Sequence, residues 1–465
     1  MRALLISTYD LGRQPFGLAS PAAWLREAGV EVVCADLSRE RLDEEAVRAA
    51  DLVAFFLPMH TATRLARPVI DRVREWNPDV TLCAYGLYAP LNAGMLRDHG
   101  VTHILGGEFE ERLVEVASAA GGLRKGVTGA HACGVPEKSA SPAGVRPIAD
   151  VARLSFRVPD RDGLPPLERY ATLQVGAERR TVGYTEASRG CKHRCRHCPI
   201  VPIYNGRFRT IPVDVVVEDI RRQARAGAQH ITFGDPDFFN GIGHARAVME
   251  AFGREFPALS YDVTIKVEHL LQHAGELTRL RRTGCMLVTT AVESFDDEVL
   301  ERLEKGHTRA DFERVVSLCA GAGLTLAPTF VAFTPWTTVE SYCDLLQAID
   351  GLGLVDNVAP IQLGIRLLVT EGSRLLDLDD VRRLIGDFDT RSLTYPWRHS
   401  DPRVDALQQH VASLVGVPLT MSRRQLFDRA WGLAHEARGG SPPARTDDGI
   451  LPRAAVPYLN EPWYC

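Results

Sequence analysis

The chain has 465 residues, 45% of them hydrophobic and 24% charged, which is the profile of a globular protein too long for one core. Its 54 basic and 59 acidic residues leave a formal net charge of −5, so no global basic field points to nucleic acid or a membrane surface as partner. The opening MRALLISTYDLG is too short an apolar run for a signal peptide, and no stretch approaches the about 18 apolar residues of a membrane span. Ten cysteines in so long a chain are too few for a disulfide framework. The expectation is a cytoplasmic protein whose clustered cysteines bind metal or react.

In chain order, residues 2–8, 31–37, 51–58, 81–87 and 102–107 are short apolar runs separated by amphipathic helical patterns such as TRLARPVIDRVREW. Continuous apolar strands alternating with helices predict a parallel sheet covered on both faces, a doubly wound domain over 1–120. Its ligand loops would follow the strands: STYDLGRQPFG, LPMHTATR, GLYAP and GGEFEE. Residues 121–180 are rich in Gly, Ser and Pro and read as a linker, with a short helix near Leu167–Leu173.

From 181 the alternation resumes. Strands are expected at 181–188, 230–235, 261–268, 286–293, 325–333 and 360–369, with helices between them. Six β/α units predict a partial (β/α)6 barrel over 181–385, with its chemistry at the C-terminal ends of the strands. Residues 386–465 read as a helical extension followed by an irregular, Pro-rich tail. Cys34, Cys83, Cys319 and Cys343 fall in predicted core positions and Cys285 at the end of the barrel away from the chemistry, while Cys133 lies in the linker without a role. Pro335 and Trp336 either wall the substrate space or pack.

The strongest motif is SRGCKHRCRHCP, with Cys191, Cys195 and Cys198 spaced C-x3-C-x2-C just after the first barrel strand. Three thiolates on a short loop can hold three irons of a [4Fe-4S] cluster and leave the fourth open to a substrate. Arg189, Lys192, Arg194 and Arg196 put positive charge beside an anionic cluster. The bland alternative is a structural zinc site completed by His193 or His197.

This motif, at this place in a partial barrel, resembles the radical S-adenosylmethionine (SAM) superfamily, over roughly 181–370. The resemblance implies that the open iron chelates the amino and carboxylate groups of SAM. One-electron reduction then breaks a sulfur–carbon bond, usually giving a 5′-deoxyadenosyl radical. Gly234, Asp235 and Pro236 in FGDPDFF stand where the family has its Gly-Gly-Glu-like turn, which meets the SAM amino group. Glu293 and Ser294 resemble the ribose-contacting turn, although Val292 replaces the usual glycine before it. Arg366 is a candidate for the SAM carboxylate or, equally, for a structural ion pair. An electron donor such as flavodoxin or ferredoxin is implied as well.

A doubly wound domain ahead of such a barrel resembles the cobalamin-binding subclass, and Gly107 and Glu108 resemble its Gly-Glu turn. The D-x-H-x-x-G histidine is absent from YDLGRQPFG, so either cobalamin binds without a histidine ligand or the domain has lost it. His60 follows the third strand and reads as an ordinary loop histidine sooner than as a cobalt ligand, and Asp10 and Arg13 are polar residues on a functional-looking loop, where polarity alone is weak evidence. The ending LNEPWYC resembles the lead-in to the tail of the CUAEP/CCAEP-tail radical SAM (seleno)proteins, in which a Cys and a Sec or Cys precede Ala-Glu-Pro. Two readings stand: a UGA codon after Cys465 read as a stop, or a natural end with Cys465 at the surface. The expected function is radical group transfer or rearrangement. The candidates are cobalamin-assisted methylation and 3-amino-3-carboxypropyl transfer to a thiophilic or metalloid acceptor held by Cys465 as a catalytic residue. The competing class is a non-catalytic iron–sulfur or metal-binding sensor.

Overall fold

Five apolar runs of the first 110 residues form the parallel strands expected of them. The structure is a computed structural model that describes residues 1–121, 149–150, 153–416, 421–441 and 458–459. These divide into two compact units, one made of Met1–Thr8, Gly17–Leu154 and Pro159–Gly163, the other of Tyr9–Phe16, Ser155–Val158 and Leu164–Cys465. Among the described residues no helix is long and apolar enough to cross a membrane.

In the first unit β1 (Arg2–Ser7), β2 (Glu31–Asp36), β3 (Leu52–Phe56), β4 (Thr81–Tyr85), β5 (His103–Gly107) and β6 (Ala149–Asp150) lie in the order β2-β1-β3-β4-β5-β6. Every pairing is parallel. Residues Ala3–Ile6 and Leu52–Phe55 are fully buried, as strands covered on both faces must be. The order reverses between β1 and β3, the switch point where doubly wound sheets bind ligands. β6 comes from residues read as linker in sequence, where two residues carry no periodicity to announce a strand.

The second unit holds β7 (Thr172–Val175), β8 (Glu178–Thr185), β9 (Ser188–Gly190), β10 (Phe208–Thr210), β11 (His230–Phe233), β12 (Ser260–Thr264), β13 (Cys285–Glu293), β14 (Thr325–Phe330) and β15 (Tyr458–Leu459). Its sheet runs β14-β13-β12-β11-β8-β7-β15, and β9 and β10 form a separate antiparallel ribbon. From β8 to β14 the pairings are parallel, the arrangement of a curled partial barrel. β7 is antiparallel to β8, and β15 antiparallel to β7. The sixth barrel position is thinner than the periodicity suggests. Residues 360–363 form a 3-10 turn, and the following segment joins by one parallel bridge, Phe333 to Arg366. Pro360 at the start of that turn removes a donor that a strand ladder needs. The short helix expected near Leu167–Leu173 is a 3-10 turn at Leu167–Arg169 followed by β7. The C-terminal extension contains helices Pro402–Val415 and Arg423–Arg438, the second opened by a Ser422–Gln425 capping box.

The helix Val213–Arg225 shows how the barrel is assembled. Val216, Val217 and Ile220 face the core, while Glu218, Arg221 and Arg222 pair with one another on the outside. Its buried Gln223 reaches the sheet: Tyr184 N–H donates to Oε1 at 2.8 Å, and Nε2 donates to the Tyr184 carbonyl at 3.1 Å. β7 pairs with β8 only up to Thr181, so Tyr184 lies beyond its end and Gln223 supplies the partners a longer β7 would have supplied. Gln223→Leu keeps the volume and orphans both backbone groups. It should cost about 2–3 kcal/mol, read as a lowered urea midpoint, and an unchanged midpoint contradicts this account.

Candidate active site: the cysteine loop and its carboxylates

The loop Cys191–Cys198 has no regular secondary structure. Gly190, at φ +76°, turns the chain into it, and a Cβ there would collide with the Tyr204 ring. Neighbouring loops then satisfy its backbone. Asn240 Oδ1 accepts from Lys192 N at 3.1 Å, and Asn240 Nδ2 donates to the Gly190 carbonyl at 3.2 Å. Arg196 N donates to Leu303 O at 3.0 Å. Arg374 donates to Arg194 O at 2.5 Å and Ser373 Oγ to Arg196 O at 3.2 Å.

The three cysteines are free thiols, Cys195 buried and the other two partly buried. Burial pushes Cys191 up to about 11, and Asp237 and Cys195 push the same way. Burial pushes Cys198 up to about 12, with further contributions from Cys195 and Cys191. The three sulfurs are near enough to influence one another electrostatically. Thiolates crowded together in a poorly solvated site need a cation to hold them deprotonated. Lys305, 3% exposed at its side chain, carries that sign of charge and acts on both Cys195 and Cys198. The donor set suits a cluster with three protein ligands.

Glu293 occupies a strained position at the end of β13. Its φ is +72°, and the register with β14 slips between Ala291 and Glu293, a bulge that re-aims the side chain. Its Oε1 accepts from His197 Nε2 at 3.1 Å and from Lys305 Nζ at 3.2 Å, tying β13 to the cysteine loop. Burial alone would raise the carboxyl, but Lys305 and His197 outweigh it and push it down to about 2. Against burial, Glu293 raises the Lys305 ammonium.

In the turn after β11, Gly234 takes no side chain, because a Cβ would collide with the Tyr184 hydroxyl. Asp235 is buried and accepts from Ala187 N at 2.8 Å and Ser188 Oγ at 2.5 Å, so it fastens the β11 turn to the strand that feeds the cysteine loop. Burial pushes its carboxyl up to about 7, moderated by those two donors. Pro236 is half-buried in the same turn. Ser294 Oγ accepts from Asp296 N at 3.0 Å. Arg366 is engaged elsewhere: it donates to Asp405 and to the Trp397 carbonyl, each at 2.8 Å, and lies 3.5 Å over the Trp397 ring. An ion pair is one of the two roles left open for it by sequence. Trp336 packs under Arg302 and donates to Asp380 at 2.8 Å. Cys34, Cys83, Cys285, Cys319 and Cys343 are buried. His60 is buried at the start of the helix His60–Trp76, edge-on to Tyr88. Cys133 and Cys465 lie outside the described residues.

Sequence reasoning passed over Lys305, Asp237, His269 and the pairing of His197 with Glu293. Lys305 stands 12 residues after its partner, and the chain passes through a left-handed residue, Glu304 at φ +52°, just before it. The second acid of DPD, Asp237, was the one legible signal. A carboxylate held below its ordinary 4.5 stabilises the fold above that pH and loses the contribution as pH falls towards about 2. The stability advantage of the wild type over Glu293→Gln should therefore be constant above about pH 5 and shrink towards about pH 3. Unfolding midpoints across that range measure it, and an advantage that persists in acid contradicts the ion pair.

Residues 185–350 match the Radical SAM superfamily. Over 345 residues the chain is 24% identical to the hopanoid C-3 methylase of Methylococcus capsulatus, covering 72% of this chain and 64% of that protein. It is also 24% identical over 205 residues to a tRNA-2-methylthio-N(6)-dimethylallyladenosine synthase of Chlorobium limicola, spanning 42% of this chain and 44% of that one. Among solved structures, the cobalamin-dependent SAM radical enzyme OxsB with aqua-cobalamin and SAM superposes with a TM-score of 0.68 at 12% identity, covering 94% of this chain and 72% of that one. TsrM from Kitasatospora setae, a radical SAM methyltransferase with cobalamin and a [4Fe-4S] cluster bound, gives 0.57 at 18% identity over 92% and 99%. At these identities the two structures establish a shared fold. The matched residues lie on the barrel that bears the cysteine loop, so residues 185–350 of this chain are similar to the radical SAM domain.

Proposed function

We propose that this enzyme transfers a group from SAM with the help of cobalamin, using a [4Fe-4S] cluster held by Cys191, Cys195 and Cys198. The observation that carries the reading is the loop of three free cysteines at the C-terminal end of the first parallel barrel strand, in a chain that also folds a parallel doubly wound unit. When bound, the cluster supplies the electron that cleaves the sulfonium of SAM. The chain's own residues do the positioning. Asp235 and Gly234 shape the turn beside the loop, Glu293 and Lys305 hold the β13 end against it, and Ser294 lies at the same edge. Methyl transfer is the chemistry in the names of the hopanoid methylase and of TsrM, and it is the leading form of this proposal.

The second form, 3-amino-3-carboxypropyl transfer to a thiophilic or metalloid acceptor, rests on Cys465 and the CUAEP/CCAEP-like ending. β15 supports a role for the tail by its direction. Being antiparallel to β7, which is antiparallel to β8, it runs parallel to β8 and towards the end of the sheet that bears the cysteine loop. Leu459 lies across from Leu173, which pairs with Arg180, so β8 has about 16 Å left to Thr185. The six residues from Asn460 to Cys465 can span about 20 Å. A soft thiol suits an acceptor of that kind.

Reduced, cluster-loaded protein should consume SAM, with products read by mass spectrometry with and without cobalamin and an electron donor such as flavodoxin. S-adenosylhomocysteine indicates methyl transfer, methylthioadenosine indicates aminocarboxypropyl transfer, and 5′-deoxyadenosine indicates hydrogen abstraction. Cys465→Ser should leave SAM cleavage intact and lower transfer to a thiophilic acceptor by roughly 100-fold. Failure to consume SAM despite a full iron complement would sink the reading.

A further inference from the structure

Three side chains from consecutive loops at the catalytic end of the barrel converge beside the cysteines. His193 lies in the cysteine loop, Asp237 in the turn after β11, and His269 in the helix Val267–Gln272 after β12. Their donor atoms lie within 4.8 Å of one another. His269 Nδ1 is 2.6 Å from Asp237 Oδ2, His193 Nε2 is 3.6 Å from that oxygen, and the two Nε2 atoms face each other at 3.2 Å. Both His269 and Asp237 are 0% exposed.

The contact between them is unusual in one respect. Although 2.6 Å apart, neither Asp237 Oδ2 nor His269 Nδ1 has a hydrogen-bond partner, because donor and acceptor are not aligned. Two buried polar atoms left without partners are costly, and a pair that is close but misaligned is what two ligands aimed at a shared cation present. The surroundings are those of ligands held from behind. Asp237 Oδ1 accepts from Phe239 N at 3.1 Å, which fixes the carboxylate. His193 Nδ1 lies 3.5 Å from Glu268 Oε2, the carboxylate behind the imidazole that metal-binding histidines commonly have.

We propose that His193, Asp237 and His269 form a second metal site, separate from the cluster cysteines, for a divalent first-row transition ion such as Zn²⁺ or Fe²⁺. Two imidazoles and one carboxylate are the donor set these ions take when coordination positions are left open for water or a substrate oxygen or nitrogen. A hard ion such as Mg²⁺ or Ca²⁺ would require oxygen ligands in place of the two rings. The site joins three loops that the sheet alone leaves independent, and it puts a Lewis acid beside the cysteine that Asp237 already influences.

The test counts metals on the full chain. Protein reconstituted with its iron–sulfur cluster is equilibrated with Zn²⁺, desalted and analysed for iron and zinc together, in the wild type and in His193→Gln, Asp237→Asn and His269→Gln. The wild type should retain about one zinc per chain and each variant should bind it at least roughly tenfold more weakly. X-ray absorption at the zinc edge should show only nitrogen and oxygen neighbours at about 2.0–2.1 Å, with no sulfur at about 2.3 Å. Iron content reports the cluster separately, so loss of the cluster and loss of the second site are distinguishable. If the buried-site variants fail to fold, His193→Gln decides alone, because its ring is at the rim. No retained zinc in the cluster-loaded wild type, equal retention in the variants, or a sulfur shell would each overturn the site and leave a metal-free ion pair.

Discussion

The eight residues from Cys191 to Cys198 belong to no ladder and no helix, and the cysteine-bearing end of the barrel depends on how that deficit is met. A loop of this kind carries backbone groups that water or neighbours must satisfy. Here neighbours do it: Asn240 from one barrel loop, Leu303 from another, Ser373 and Arg374 from the segment after the sixth barrel position. Each of these bonds is individually modest. Together they hold in place a segment that has no ladder or helix of its own. Preorganisation of this type fixes where the three cysteines stand before any ligand binds.

Charge is arranged by the same principle. The carboxylates at the site are buried, and each is compensated differently. Glu293 has the Lys305 ammonium and stays ionised, whereas Asp235 has only neutral donors and is pushed towards neutrality. Asp237 has a histidine at contact distance but no aligned hydrogen bond on that oxygen. Thiols raised by burial lie among these groups and feel their charge. The strained backbone of Glu293 is explicable in this light. A left-handed conformation at a bulge is tolerated because the ion pair it enables is buried.

Much of this was legible beforehand where the physics is local. β1 to β5 were readable because strands buried on both faces need continuous apolar runs. The cysteine loop was readable because ligand spacing on a short segment is itself a chemical constraint. The sixth barrel strand was over-read, since PIQLGIRLLV is apolar enough for a strand while Pro360 and the turn that follows prevent the ladder. Arg366 was equally ambiguous. Only the distant Asp405 and Trp397 decide that its fork is already engaged. Lys305 could not be assigned at all, because its partner Glu293 is aimed at it by a bulge and a left-handed residue at the end of β13.

The sequence by itself determined that this chain has a doubly wound part, a partial barrel, and a loop with three cysteines spaced C-x3-C-x2-C. Each of these is written in periodicity or spacing over a few residues. The tertiary structure alone decided which carboxylate is ionised, which arginine is occupied, and that His193, Asp237 and His269 meet. Those outcomes depend on burial and on partners dozens of residues away, and neither quantity exists until the chain has folded.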